Sequence, residues 1–174
     1  MRFFRHLHTV NTHRKNVRKL CFKAGLYWQG LTHDLSKYSP SEFIPGVKYY
    51  QGDRSPNEKE RELLGYSPAW MHHKGRNKHH IEYWNDFNYV TKKIEPVPMP
   101  RKYVAEMFCD RVAACKTYQK DKYTDRSALN YFNRRRGHRW IADQTERELG
   151  FLLNMLREKG EKKTFEYIKK WVRE

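Results

Sequence analysis

Long apolar runs are missing from this chain. No stretch approaches the roughly 18 residues that a membrane-spanning helix needs, which excludes such a span. The opening MRFFRHLHTV has no apolar core, so no secretory signal is expected. Cysteine is scarce and unpaired in number: Cys21, Cys109 and Cys115 are scattered. They fit reduced core thiols of a cytoplasmic protein better than a disulfide framework or a zinc knuckle. Strand-like alternation is nearly absent, as are internal repeats and low-complexity tracts. Acidic residues are missing from residues 1–30, a segment that carries Arg2, Arg5, Arg14, Lys15, Arg18, Lys19 and Lys23.

What remains is basic, aromatic and helical. The 174 residues make one ordinary domain with a formal net charge of +16. Aromatic content of 15% is too high for a disordered chain. The charge favours an anionic phosphate partner, with nucleic acid as an alternative. Arg134, Arg135, Arg136 and Arg139 form a second basic cluster. His6, Val10, His13, Val17, Leu20 and Ala24 recur at helical spacing and predict a first helix over 3–25, ended near Gly25. Ser39-Pro40, Ser55-Pro56 and Ser67-Pro68 are helix starts, and Glu42 and Glu58 complete capping boxes at the first two. Helices are expected at about 78–91, 101–119, 126–135, 139–158 and 162–173, with EPVPMP (95–100) as an extended connection. The expected fold class is all-α. Residues 1–120 form the core, and 121–174 form a C-terminal helical extension of the same domain.

The histidines carry the chemistry. Nine are present, and all but His138 precede residue 81. His33-Asp34 are adjacent, His72-His73 and His79-His80 are doublets, and Asp110 sits on an otherwise apolar helical face with Tyr103, Met107 and Ala114. A buried carboxylate needs a partner or a cation, because an isolated charge costs several kcal/mol. Imidazole with carboxylate suits Mn, Fe, Co, Ni or Zn. One member of a helical doublet can bind a metal while its neighbour, turned by about 100°, serves another ion or acts as a base. Of the aromatics near these residues, Trp28 and Tyr38 are the candidates to stack on a base, the others helix-packing core.

The order His13, His33-Asp34, the doublets, then Asp110 resembles the HD-domain superfamily of metal-dependent phosphohydrolases. His13-Arg-Lys-Asn-Val17 is similar to that family's first-helix motif, Leu31-Thr-His-Asp-Leu-Ser-Lys37 to its HD motif, and Asp110-Arg-Val-Ala-Ala114 to its closing aspartate segment. His79-His80 stand where binuclear members carry an HH doublet, although the GYP extension of one such group is missing. More narrowly, HDLSKYSPSEF and AWMHHKGRNKHHIEYW resemble an uncharacterised HD-like family of bacteria and phages. The resemblance implies an HD-like helical bundle and two divalent transition-metal ions. His13, His33, Asp34 and Asp110 would hold one. Asp34 would bridge to a second held by His73, His79 and His80. Asp34 and Lys37 are the implied catalytic pair. Lys37, Lys74, Arg76 and Asn77 are placed to meet a phosphate, and His6, His72 and Glu82 are alternates. The implied activity is hydrolysis of a phosphate ester of a nucleotide or cyclic nucleotide. An HD-type nuclease, a di-iron oxygenase and a non-enzymatic binding protein are the other readings.

Overall fold

A computed structural model describes residues 1–134 and 140–174. Of the basic cluster, only Arg134 lies within them; Arg135, Arg136 and Arg139 fall outside the described residues, as does His138. Among the described residues the fold is all-α apart from one small hairpin. α1 spans Arg2–Lys23, α2 Tyr27–Thr32, α3 Pro40–Lys48, α4 Pro56–Leu64, α5 Pro68–Lys74, α6 Arg101–Gln119, α7 Ser127–Arg134 and α8 Asp143–Trp171. Among the described residues no helix is long and apolar enough to cross a membrane.

α1 has one buried stripe with two chemistries. Val17, Leu20 and Cys21, with Ala24 just beyond the helix, enter the apolar core, whereas His6, Val10 and His13 turn the same stripe into the polar half of the molecule. α6 packs along α1 and is buried on nearly every side, from Val104 to Cys115, as expected of a central helix. α7 and α8 close the same core through Leu129, Phe132, Leu149, Leu152, Leu156 and Ile168.

All three Ser-Pro pairs open helices, with proline in the first turn. The capping bond forms only at Ser67, whose Oγ accepts from the Trp70 N–H at 3.0 Å. Ser39 and Ser55 make no such bond, so the two capping boxes are not formed. Residues 78–91 do not form the expected helix. Instead of a helix there is a 3₁₀ turn at Ile81–Tyr83, then a hairpin of β1 (Asn85–Asn88) and β2 (Lys93–Pro96) with Phe87 opposite Ile94. Asn88 Oδ1 accepts from the backbone N–H groups of Val90 and Thr91, and Lys92 is left-handed with φ 58°. That local side-chain turn competes with helix and wins.

Gly46 on α3 faces the His6 ring: a Cβ there would sit 2.6 Å from His6 Cε1 and closer still to Nε2. The ring packs near Phe43 and Tyr50, with centroids 5.2 and 5.8 Å away, so the added methyl must displace it from those contacts. Gly46→Ala is expected to destabilise by about 1–3 kcal/mol through overpacking. Thermal melting checks this, and adding His6→Ala should restore most of the loss.

At the far end, α8 breaks at Gly160 (φ 72°, ψ 173°), a conformation essentially limited to glycine. The next residue, Glu161, accepts from Lys23 Nζ at 2.9 Å and from Lys116, tying α8 to α1 and α6. Burial alone would raise the Glu161 carboxyl, but the two lysines outweigh it and hold it below the ordinary 4.5. A depressed folded-state value stabilises above the unfolded value, and that contribution disappears as pH falls through the folded one. Glu161→Gln should therefore cost about 1 kcal/mol at neutral pH. In denaturant titrations the difference from wild type should vanish on acidification.

Candidate metal centre

The HD dipeptide owes its geometry to the end of a helix. α2 stops at Thr32, His33 leaves the helix (φ −48°, ψ 124°), and Asp34 is left-handed (φ 54°, ψ 29°). Within a helix, adjacent side chains would diverge by about 100°. At this joint they converge, with His33 Nε2 3.4 Å from Asp34 Oδ2. A left-handed non-glycine residue costs roughly 1–2 kcal/mol, and aspartate tolerates it better than most.

Two donor sets meet at Asp34. In the first, His13 Nε2 from α1 lies 3.0 Å from Asp110 Oδ1 and 3.9 Å from Asp34 Oδ2, and His33 Nε2 lies 3.6 Å from Asp110 Oδ1. In the second, Asp34 Oδ1 lies 3.3 Å from His73 Nε2 and 3.4 Å from His79 Nε2, while His73 and His80 bring their Nε2 atoms within 2.9 Å. Ligands about 2.0–2.1 Å from a transition metal stand roughly 3–3.4 Å from one another in octahedral or tetrahedral arrangement. The measured separations bracket that range. His13 Nε2, His33 Nε2, Asp34 Oδ1 and His79 Nε2 are buried and make no well-formed hydrogen bond; each faces oppositely charged or imidazole donor atoms of the same sets. Buried polar atoms are nearly always well paired, so donor atoms gathered this way at two neighbouring points fit cation binding.

Carboxylates behind the rings explain why the Nε2 atoms face inward. Glu106 Oε1 lies 2.9 Å from His33 Nδ1 and 3.2 Å from His79 Nδ1. Glu42 Oε2 takes His73 Nδ1 at 2.7 Å, and its other oxygen takes His72 Nδ1 at the same distance. A carboxylate on Nδ1 places the proton there and leaves Nε2 as the donor atom. Glu106 could also join His33 and His79 in a third donor set, but its contacts are with their outer nitrogens.

The electrostatics favour positive charge at the centre. Burial would raise Asp34, but His33, Lys37 and His73 hold it well below the carboxylate range. Burial would likewise raise Asp110, and His13 and His33 hold it well below. Burial lowers His13 despite Asp110. Burial and the neighbouring His79 and His73 push His80 well below the ordinary imidazole value. At His33 burial is outweighed by Asp34, Asp110 and Glu106, which raise it well above that value. Asp34 is already paired with the Lys37 ammonium, and further positive charge, on His33 or on an ion, is favoured beside Asp34 and Asp110.

A cleft of 710 Å³ opens onto the two sets. Its wall carries Trp70, Tyr118, Tyr131 and Trp140, together with Arg54 and Arg111. Of the residues singled out in the sequence, His13, His33, Asp34, His73, His79, His80 and Asp110 are brought together. Lys37 lines the cleft with Nζ 2.7 Å from Asp34 Oδ2. His6 and Glu82 also line it but belong to neither set, and His72 is turned away to Glu42. Burial, with Lys37 nearby, lowers His6 to about 4.

Lys74, Arg76 and Asn77 do not line the cleft. Arg76 donates to the His72 carbonyl, and Asn77 spends its amide on Ser36 Oγ and the His73 carbonyl. These bonds tie Arg76 and Asn77 back onto α5 and the HD segment, and none of the three expected phosphate contacts stands in the cleft wall. Trp28, 73% exposed, and Tyr38 lie outside the cleft as well. Glu106, Glu42 and Arg111 were not legible as site residues. The one available signal was Glu106 standing four residues before Asp110 on a mostly apolar helix.

A model of a family of unknown function (DUF5662) matches residues 2–155. The chain belongs to that family. The matched span contains both donor sets and Glu106. Neither the comparison with curated proteins nor that with solved structures gives a match.

Proposed function

We propose that this protein is a metal-dependent phosphohydrolase acting on a phosphate ester of a nucleotide or cyclic nucleotide. The observation that carries this reading is the division of Asp34: Oδ2 faces His13 and His33, Oδ1 faces His73 and His79. The sequence resemblance to HD phosphohydrolases supports it. His13, His33, Asp34 and Asp110 would hold one ion, and Asp34, His73, His79 and His80 the other. When bound, a pair of Mn, Fe, Co, Ni or Zn ions supplies Lewis acidity toward a phosphoryl group and a water made acidic near neutral pH.

The protein's own groups do the rest. Glu106 and Glu42 hold three imidazoles in one tautomer with Nε2 inward. Lys37 and Arg111 line the same cleft and bring cationic charge toward a phosphate entering it. The aromatic wall offers flat apolar faces to a base, and 710 Å³ accommodates a ligand of nucleotide size.

The test is elemental analysis of protein purified without added metal, paired with bis-p-nitrophenyl phosphate turnover after Mn²⁺ addition. Two metals per chain, with turnover lost to a chelator and restored by metal, is the expected result. No bound metal and no turnover would overturn the proposal. Bound iron with oxygen uptake would replace it with an oxygenase, and strongly salt-dependent cleavage of DNA or RNA alone would replace it with a nuclease.

A further inference from the structure

The helix that presents the HD turn is too short to hold itself. α2 has six residues, far below the length at which an isolated helix persists. Its terminal carbonyls need partners from elsewhere. They find them in one side chain of α1. Arg14 Nε donates to the His33 carbonyl at 2.8 Å and Nη2 to the Leu31 carbonyl at 3.2 Å. Nη1 donates to Tyr38 Oη at 3.1 Å, and the guanidinium lies 5.1 Å from the Tyr38 ring centre. Tyr38 in turn donates to Asn11 Oδ1 at 2.6 Å, returning to α1.

These tethers bracket the segment that carries His33, Asp34 and Lys37. His13, the preceding residue of α1, reaches Asp34 and Asp110 inside the cleft. Consecutive helical residues point about 100° apart. α1 therefore grips the turn from both sides, with an imidazole inside and a guanidinium outside.

We infer that Arg14 is the positioning residue of the candidate centre: its guanidinium, bonded to the Leu31 and His33 carbonyls and to Tyr38, holds the His33–Asp34 turn in the geometry that presents both side chains to metal. The inference rests on the metal reading above. Lysine cannot replace it, because one ammonium lacks the planar fork that spans two carbonyls and a phenol. Each guanidinium nitrogen makes one of these bonds, and Arg14 does not line the cleft at the two donor sets, so it does not touch a substrate held there.

The test uses Arg14→Lys and Arg14→Ala in the full chain with two readouts. Amide exchange over residues 33–39 needs no metal; both variants should exchange about tenfold faster there, with the core of α6 unchanged. Cobalt titration, followed by its visible absorption, should show affinity about 10–100-fold weaker in both variants. On bis-p-nitrophenyl phosphate, kcat should fall at saturating metal with KM kept within about twofold.

If Arg14→Ala fails to fold, Arg14→Lys, which keeps charge and bulk, carries the test. Unchanged exchange would overturn the clamp. Faster exchange with wild-type cobalt affinity would overturn the positioning role while leaving the metal reading intact. Full rescue by lysine, or a rise in KM alone, would make Arg14 a charge contact and overturn the inference. A wild-type chain that takes up no cobalt would overturn the metal reading itself, before any variant is made.

Discussion

Asp34→Ala is expected to remove both metals and reduce phosphodiester turnover by about 10³-fold or more, the upper range for losing one group that stabilises developing charge. The reason is geometric. Asp34 is the one side chain common to both four-residue sets, and its two oxygens face different histidines. Removing it leaves His13, His33 and Asp110 on one side and three imidazoles on the other, with no group between them. Asp110→Ala should differ, because Asp110 contributes to the first set alone. Metal stoichiometry separates the two: less than one per chain for Asp34→Ala, about one for Asp110→Ala. Equal, undiminished stoichiometry in the two variants would show that Asp34 does not bridge.

Glu106→Ala is the second large effect. Glu106 touches no substrate-facing atom, yet one of its oxygens meets the outer nitrogens of His33 and His79, one from each set. Its loss should weaken metal binding by about 10–100-fold. It would also leave two buried imidazole N–H groups without a partner, costing about 1–3 kcal/mol each. Glu106→Gln retains an oxygen that accepts from one ring, so its affinity should fall between wild type and Glu106→Ala. Competition against a chelator of known affinity gives the first number, and denaturant unfolding of the metal-free protein gives the second. Glu106→Ala with wild-type metal affinity would mean that the rings are oriented by packing alone.

Several elements were legible because their signal is local. The α1 stripe follows from helical spacing, and His6, Val10, His13, Val17, Leu20 and Ala24 are all buried. Each Ser-Pro pair starts a helix, since proline at the first position needs only its own φ and a missing N–H. The break at Gly160 followed from the same local logic. Residues 78–91 depart from the helical expectation for an equally local reason: the Asn88 side chain caps a turn, and apolar spacing does not reveal that competition.

The candidate centre shows where local signal ends. Order and residue type alone marked His13, His33, Asp34, the doublets and Asp110 as donors. Their convergence depends on backbone outside regular helix: the left-handed Asp34 and the turn after α5 that brings His79 and His80 into one set. The spacing of a doublet says only that two side chains diverge on a helix. In α5 both Nδ1 atoms meet Glu42, and only His73 also brings its Nε2 to Asp34. Glu42, Glu106 and Arg14 are ordinary charged residues in the chain, and only packing makes them supports.

The sequence by itself determined the helical class, the positions where α1 and the Ser-Pro helices begin, and the inventory of nitrogen and oxygen donors. Those follow from periodicity, proline geometry and ligand chemistry, which act over a few residues. The tertiary structure alone decided which member of the first doublet turns inward, which carboxylates stand behind the rings, and that the loop at Lys74–Asn77 lies outside the cleft. Those outcomes depend on how α1, α3, α5 and α6 pack against one another. Groups distant in the chain acquire their roles only when burial forces each polar atom to find a partner.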